Sequence, residues 1–272
     1  MIKSKAPVVL AEYLEVHYGR KAVLCIDQLR FDRGERVSII GPSGAGKTTL
    51  LRAIKGYVRP SRGKIEVLGL NWSTCDRQTR RRVQCRIGLI FQQFHLVPRM
   101  TVLQNVLCGR LGSTNRLKSL FGWFSSEDRQ IAWRAICEVG LQEQVHQRAD
   151  TLSGGQQQRV AIARVVAQQP EVILADEPVS NLDPILGAEV LSLLLDVTQH
   201  HDATLILNLH QPALAKRFGD RVVGLRDGRI VFDDSPSHLT DDRLQEVYRG
   251  HKPVPLYRGD STATKSMAMV GA

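Results

Sequence analysis

Long hydrophobic runs are missing from this chain of 272 residues, and none approaches the roughly 18 apolar residues that a membrane-spanning helix needs. The first sixteen residues, MIKSKAPVVLAEYLEV, also lack the apolar core and cleavage site of a secretory signal peptide. The hydrophobic fraction of 43% is ordinary for a globular protein. We therefore expect a cytoplasmic protein with one large α/β domain, or a domain carrying an inserted lobe.

Cysteines are few, and their spacing argues against both a disulfide framework and a cysteine-bound zinc site. There are five cysteines, none in a C-x-x-C pair and none with a histidine at metal-ligand spacing: Cys25, Cys75, Cys85, Cys108 and Cys137. An odd, scattered set predicts reduced thiols that mostly pack, rather than disulfides or a cysteine-bound zinc ion.

Aromatic residues are few at 6%, and acidic residues (27) are outnumbered by Lys and Arg (37), which leaves a net charge of +10. The densest basic cluster lacks the interleaved aromatics of a base-stacking platform. It comprises Arg77, Arg80, Arg81, Arg82 and Arg86. A solvated helix face is the favoured interpretation, with a membrane-proximal patch and polyanion contact as alternatives.

The most informative motif in the chain is a glycine-rich segment that fits a phosphate-binding loop. The segment GPSGAGKTT, residues 41–49, fits the phosphate-loop pattern G-x-x-x-x-G-K-[ST]. A short apolar strand, 36–40, precedes it, and a helix beginning near Leu50 follows, as a phosphate-binding helix start requires. This context predicts that Lys47 reaches the β- and γ-phosphates of a nucleotide and that the Thr48 hydroxyl binds Mg²⁺.

The residues before this loop predict an antiparallel pair of strands, 8–16 and 23–31, joined by a tight turn at Gly19. Tyr18 lies in that turn. Its ring could stack on a purine or could simply pack in the turn, and position alone does not distinguish the two.

Three later strands end in polar residues. The apolar runs 87–91, 171–175 and 203–208 are followed by Gln92, by the pair Asp176 and Glu177, and by His210. Ligands of open α/β sheets bind outside the carboxyl ends of the strands, so these side chains are expected at one edge. Asp176 suits Mg²⁺ coordination, Glu177 suits a general base for water, and His210 is expected near the γ-phosphate.

Residues 96–149 have helical rather than strand character, with helices expected over 101–107 and from Ser126 to Val139. The run LSGGQ, 152–156, then begins another helix. Ser153 and the backbone N–H groups of Gly154 and Gly155 would form an anion-binding helix start, although SGG before a helix is weak evidence by itself. An all-helical lobe inserted in the α/β core is predicted.

Taken together, GPSGAGKTT, FQQ, LSGGQ, ILADE, SNLD and LH resemble, in this order, the nucleotide-binding subunit of ABC transporters. The resemblance covers about residues 8–250 and implies a RecA-like phosphate-loop NTPase core, an inserted helical subdomain at about 96–165 and an N-terminal antiparallel β-subdomain. It leaves 251–272 as a flexible tail.

The resemblance also implies the site. Asp176 is expected to bind Mg²⁺ with Thr48 and Gln92, while Glu177, His210 and Gln92 take part in catalysis. Tyr18 is expected to stack on adenine, and the remaining ATP contacts come from the phosphate loop, the signature and the following aspartate: Gly41, Pro42, Ser43, Gly44, Ala45, Gly46, Lys47, Thr48, Thr49, Ser153, Gly154, Gly155, Gln156 and Asp183.

The family implies partners as well. A second copy would bind head to tail, with ATP between the phosphate loop of one copy and LSGGQ of the other. A transmembrane permease, and indirectly a solute-binding protein, would place the subunit on the cytoplasmic face of the inner membrane.

Several runs narrow the subfamily. FQQFHLVPRMTVLQNVL, SLFGWFSSED, QRADTLSGGQQQRVAIARV, NLHQ and GLRDGRIVFD resemble the ATPase of phosphonate importers, whose relatives serve phosphite or hypophosphite. An importer for another solute is the alternative. A soluble ABC ATPase acting on nucleic acid is disfavoured, because the chain has one phosphate loop and no heptad stretch.

Overall fold

A computed structural model describes residues 7–114 and 122–250 of the chain. The predicted tail 251–272 and part of the aromatic run SLFGWFSSED lie outside these residues. Within the described ranges, no helix is long and apolar enough to cross a membrane.

In the part of the chain that the structure describes, ten strands form two sheets. The first sheet is antiparallel, with the order β2-β1-β4-β5. Its strands are β1 Pro7–Tyr18, β2 Lys21–Asp32, β4 Arg62–Val67 and β5 Leu70–Asn71. The predicted strand pair at the N-terminus is confirmed, since β1 and β2 meet in a turn at Gly19, where φ is 61°.

The second sheet contains the strands that end in polar residues. Its order is β10-β9-β3-β8-β7-β6, and only β10 runs antiparallel to its neighbour. The strands are β3 Arg36–Ile40, β6 Ile87–Ile90, β7 Val172–Asp176, β8 Thr204–Asn208, β9 Arg221–Arg226 and β10 Arg229–Asp234. Because β3, β6, β7 and β8 are parallel, their carboxyl ends share one edge.

Eight α-helices are present in the described ranges: α1 Lys47–Ile54, α2 Arg77–Gln84, α3 Val102–Leu107, α4 Ser126–Glu138, α5 Gly154–Ala167, α6 Pro184–His200, α7 Pro212–Phe218 and α8 Asp241–Val247. Short 3₁₀ helices lie at 108–112, 142–144, 149–151 and 236–238. The helices α6, α7 and α8 and the short strand β5 are absent from the sequence-based prediction.

Alternation along the buried strands divides the core in two. In β8, Leu205 and Leu207 face one cluster of buried side chains, and Ile206 faces the other. The first cluster includes side chains of α3 to α8, and the second those of the antiparallel sheet and α1. The six-stranded sheet is therefore covered on both faces, as its nearly continuous apolar strands require.

The arginine-rich helix α2 partly matches its prediction. Arg77, Arg81 and Arg82 are exposed, which fits a solvated face. Arg80 instead donates to the Trp72 carbonyl, and Arg86 to a Glu171 carboxylate oxygen. These two side chains have structural partners within the fold.

A buried ion pair fastens the helices between β6 and β7. Arg110 Nε donates to Asp128 Oδ1 at 2.9 Å, and Arg110 Nη1 donates to the Ala167 carbonyl at 2.9 Å. Both charged side chains are only 10% exposed. Burial opposes ionisation of Asp128, but hydrogen bonds from Arg110 and Ser125 outweigh it and hold its pKa below the usual value.

Asp128→Ala should lower the free energy of unfolding by roughly 3 kcal/mol, because it leaves the Arg110 guanidinium buried without its counter-ion. Urea unfolding at neutral pH measures the loss. Glu246→Ala is the control, since Glu246 pairs with Arg243 on an exposed surface, and the change there should stay below about 1 kcal/mol. Equal losses in the two variants would contradict the assignment.

Candidate nucleotide site

The loop between β3 and α1 depends on glycine at three positions. Gly41, Gly44 and Gly46 have φ values of 150°, 82° and 103°. A Cβ at Gly41 would lie 2.0 Å from the Leu225 carbonyl oxygen, and one at Gly46 would lie 2.8 Å from Leu24 Cδ2. A side chain at either position therefore meets both steric and conformational resistance. Gly44 has open space around it and needs glycine for its conformation alone.

Lys47 opens α1 and folds back over this loop. It is 5% exposed, and its Nζ donates to the carbonyls of Gly41 at 2.8 Å and Pro42 at 3.1 Å. Burial lowers its pKa, and the nearby charges of Glu177 and Asp176 oppose that shift. The ammonium group thus lies inside the curl of the loop, whose outer residues Ser43 and Gly44 are exposed.

Asp176 joins three segments at the sheet edge. Its Oδ1 accepts from Thr48 Oγ1 at 3.0 Å and from Asn208 Nδ2 at 2.8 Å. The strand register sets the second contact, because Asp176 at the end of β7 pairs with Asn208 at the end of β8. The predicted neighbours Thr48 and Asp176 are therefore in direct contact.

These residues fit a magnesium ion. Mg²⁺ prefers oxygen ligands and is commonly held by one or two protein groups together with phosphate oxygens and water. Thr48 and Asp176 supply a hydroxyl and a carboxylate 3.0 Å apart. Asn208 holds the carboxylate through Oδ1, which leaves Oδ2 available as a ligand.

Glu177 and His210 also meet. His210 Nε2 contacts Glu177 Oε1, and the glutamate side chain is 15% exposed. The backbone of Glu177 is left-handed, with φ 52°, and its N–H donates to the Asn208 carbonyl at 3.2 Å. Such a conformation costs about 1–3 kcal/mol in a residue with a side chain and is concentrated at functional sites.

Gln92 follows β6 at the same edge and is exposed. The backbone carbonyl oxygen of Gln92 accepts a hydrogen bond from Asn181 Nδ2 at 3.3 Å. This contact connects the segment after β6 with the turn after Glu177.

Tyr18 is 50% exposed at the tip of the β1–β2 hairpin. The hairpin lies next to the phosphate loop, because a Cβ at Gly46 would be 2.9 Å from the Val23 carbonyl oxygen of β2.

Two predicted ligand regions serve as helix caps. Ser153 and Gln156 form a reciprocal capping box at the start of α5, with Ser153 N donating to Gln156 Oε1 at 3.0 Å. Asp183 Oδ1 caps α6 by accepting from Ile185 N at 3.1 Å and Leu186 N at 3.0 Å. Ser153, Gly155 and Gln156 line a cavity of about 450 Å³ that none of the phosphate-loop residues lines.

Two side chains at the site are absent from the sequence-based prediction. Asn208 is one, and its signal is a polar residue at the end of an apolar strand. Tyr248 is the other: its hydroxyl donates to the His210 carbonyl at 3.3 Å. Burial raises the Tyr248 pKa, while a hydrogen bond with the Gly41 backbone opposes the shift. No local pattern identifies Tyr248, because it lies 38 residues from His210.

Comparisons with known proteins identify the family of the chain. The family model described as ABC transporter matches residues 26–180, more than half of the chain. The chain belongs to the ABC transporter family. The predicted fold class, a phosphate-loop NTPase core with helical and antiparallel β parts, is thereby confirmed.

The relatives cover most of the chain. Phosphonates import ATP-binding protein PhnC 2 of Halalkalibacterium halodurans is 46% identical over 217 residues, covering 80% of this chain and 89% of the relative. Phosphonates import ATP-binding protein PhnC 1 of Pseudomonas aeruginosa is 44% identical over 258 residues, 93% of each chain.

Among solved structures, a dimeric post-hydrolysis state of the ATP-binding cassette MJ0796 bound to ADP and Pi aligns with a TM-score of 0.72 and 31% identity. The alignment covers 84% of this chain and 98% of that one.

Gly46→Ala should lower the free energy of unfolding by at least about 1 kcal/mol more than Gly44→Ala. Both changes place a side chain at positive φ, but only the first also meets Leu24 and the Val23 carbonyl. Urea unfolding of the two variants measures the difference. Equal losses would mean that backbone conformation alone requires glycine in this loop.

Proposed function

We propose that this chain is the ATP-hydrolysing subunit of an ABC importer for phosphonates or related reduced-phosphorus anions such as phosphite and hypophosphite. The observation that carries the proposal is the convergence of Lys47, Thr48, Asp176, Glu177 and His210 at one sheet edge. Relatives with 46% and 44% identity carry the name phosphonates import ATP-binding protein, which supports the choice of solute.

ATP with Mg²⁺ is the proposed substrate. The loop 41–49 would surround the phosphates, and Lys47 would exchange two neutral carbonyl acceptors for anionic oxygens, which form stronger hydrogen bonds. Thr48 and Asp176 would hold the metal, with Gln92 as a further ligand, and Tyr18 would stack on the adenine. The metal's contribution is to neutralise charge on the phosphates.

Hydrolysis needs a base for the attacking water. Glu177 is proposed for this role because it follows directly after the metal-binding aspartate and is held by His210. His210 would orient that carboxylate and approach the γ-phosphate. Breaking the Glu177–His210 contact frees a carboxylate oxygen to accept the water proton.

A head-to-tail homodimer is proposed to complete the site. Ser153, Gly155 and Gln156 line a cavity to which no phosphate-loop residue contributes, which supports a nucleotide contact through a second copy, with Asp183 proposed as a further contact. The related cassette MJ0796 is dimeric. Residues 8–250 would act as one nucleotide-binding domain, with the helical subdomain at about 96–165 presenting the signature to the partner.

A transmembrane permease is the proposed second partner, which would place the subunit peripherally on the cytoplasmic face of the inner membrane. A groove of about 400 Å³ lies close to Gln92 and is lined by Tyr57, Phe91, His95 and Arg164 among others. Tyr57 is 58% exposed. A permease segment docked in this groove would contact the end of β6, which Gln92 follows, and α5, which begins within the signature.

Glu177→Gln should reduce ATP hydrolysis at least about a hundredfold while leaving ATP binding intact, because the amide keeps the shape but cannot take a proton. Phosphate release measures turnover, and light scattering with ATP should detect a trapped dimer. The control is Glu246→Gln on the exposed surface of α8. Undiminished hydrolysis in Glu177→Gln would contradict the assignment of the base.

The solute is tested with the subunit assembled with its permease. ATPase activity should rise severalfold with a solute-binding protein loaded with phosphonate, phosphite or hypophosphite, and not with one loaded with phosphate. Stimulation by a loaded amino-acid-binding protein alone would refute the solute class without affecting the ATPase assignment.

A further inference from the structure

Two histidines and a glutamate meet at the ends of two helices, and none of them belongs to the nucleotide site described above. Glu138 ends α4, His200 ends α6, and His201 follows immediately. Glu138 Oε2 lies 2.9 Å from His201 Nε2, and Glu138 Oε1 lies 3.8 Å from His200 Nδ1. One ligand atom from each residue lies within 4.8 Å of the others.

The end of α6 makes this arrangement possible. Consecutive residues inside a helix point in different directions. Here the helix terminates at His201, whose φ and ψ are −94° and 7°, and Asp202 is left-handed with φ 48°. The two imidazole rings consequently lie side by side, with centroids 5.0 Å apart.

The spacing suits a tetrahedral metal ion. Zinc binds imidazole nitrogen and carboxylate oxygen at about 2.0–2.2 Å, which separates neighbouring ligand atoms by about 3.4 Å in a tetrahedron. The measured separations of 2.9 and 3.8 Å bracket this value. The two distances run to different oxygens of the Glu138 carboxylate, and all three ligand atoms lie within 4.8 Å of one another, so coordination of one ion requires the side chains to draw closer together.

We propose that Glu138, His200 and His201 form a zinc-binding site. Imidazole nitrogens favour zinc and its neighbours in the transition series over Mg²⁺, which prefers oxygen. The side chains of Glu138 and His201 are 23% and 29% exposed, whereas His200 is 71% exposed. The two less exposed groups anchor the ion, and the fourth coordination position is open to water.

The site is separate in chemistry from the proposed magnesium site. Thr48 and Asp176 offer oxygen only, so the two cations are selected by different donor sets. Zinc at the second site would clamp α4, a helix of the segment between β6 and β7, to the end of α6. Zinc binding would stabilise this contact between α4 and α6. Its effect can therefore be measured as a change in protein stability, without an ATPase assay.

The test is isothermal titration of the full-length chain with Zn²⁺ in the presence of saturating Mg²⁺. We expect a binding event of one equivalent that Glu138→Gln and the double variant His200→Ala/His201→Ala each weaken by more than about tenfold, since loss of even an outer-shell partner costs that much. Wild-type protein should also show a higher Tm with zinc.

His238→Ala is the matched control. His238 Nδ1 lies 2.9 Å from Asp234 Oδ2, an exposed histidine–carboxylate pair, and this variant should bind zinc as the wild type does. All variants keep the five cysteines, so thiol binding cancels in the comparison. Co²⁺ provides a second readout, because the site should give ligand-field bands without thiolate charge transfer.

Two results would overturn the proposal. One is wild-type affinity in the double variant, which would assign any binding to other groups. The other is a titration of the wild type with no measurable zinc-binding event, which would leave Glu138 and the histidines as an ordinary surface contact.

Discussion

The Asp176 carboxylate is the interaction on which the geometry of the nucleotide site depends. Through one oxygen it accepts from Thr48 and from Asn208, and so it joins the start of α1 to the ends of β7 and β8. A partly buried carboxylate is costly unless it is hydrogen-bonded. The two donors meet that requirement and fix the orientation of the group. The catalytic candidates Glu177 and His210 follow directly from the two strands that Asp176 and Asn208 terminate.

Several proposed ligands already have partners within the chain. Lys47 donates to two loop carbonyls, Ser153 and Asp183 cap helices, and Glu177 pairs with His210. Each contact satisfies a polar group that burial or a helix end would otherwise leave unpaired. Binding a nucleotide would therefore exchange hydrogen bonds, and the net gain comes from replacing neutral acceptors with charged ones.

Much of this arrangement was predictable because it follows from simple periodicities. Apolar runs gave the positions of β3, β6, β7 and β8, and parallel pairing then placed their carboxyl ends together. The contact between Thr48 and Asp176 agrees with the motif-based expectation. The roles of the individual residues in catalysis stay predictions, since the geometry establishes proximity and leaves chemistry to experiment.

The omissions have physical causes. Helix α6 begins with an Asp183 cap and Pro184 at its first turn, which is a recognisable start signal, but Asp183 also falls within the motif SNLD and was expected only to contact the nucleotide. Capping and ligand binding use the same side chains, so one interpretation obscured the other. Tyr248 reaches His210 through tertiary packing alone, and local periodicity carries no information about such a contact.

Helix α6 contacts a different helix near each of its ends. Near its start, Leu186 lies so close to Gly155 that a Cβ on the glycine would be 2.6 Å from Leu186 Cδ2. Near its end, His201 contacts Glu138 of α4. The two contacts are separated by about 22 Å at 1.5 Å per residue. Between these points Val190, Leu191, Leu194 and Val197 pack into the core, so α6 contacts α5 near its start and α4 near its end. The carboxylate–histidine contact therefore joins α4 to the end of α6, while the packing of Leu186 on Gly155 joins the start of the same helix to α5.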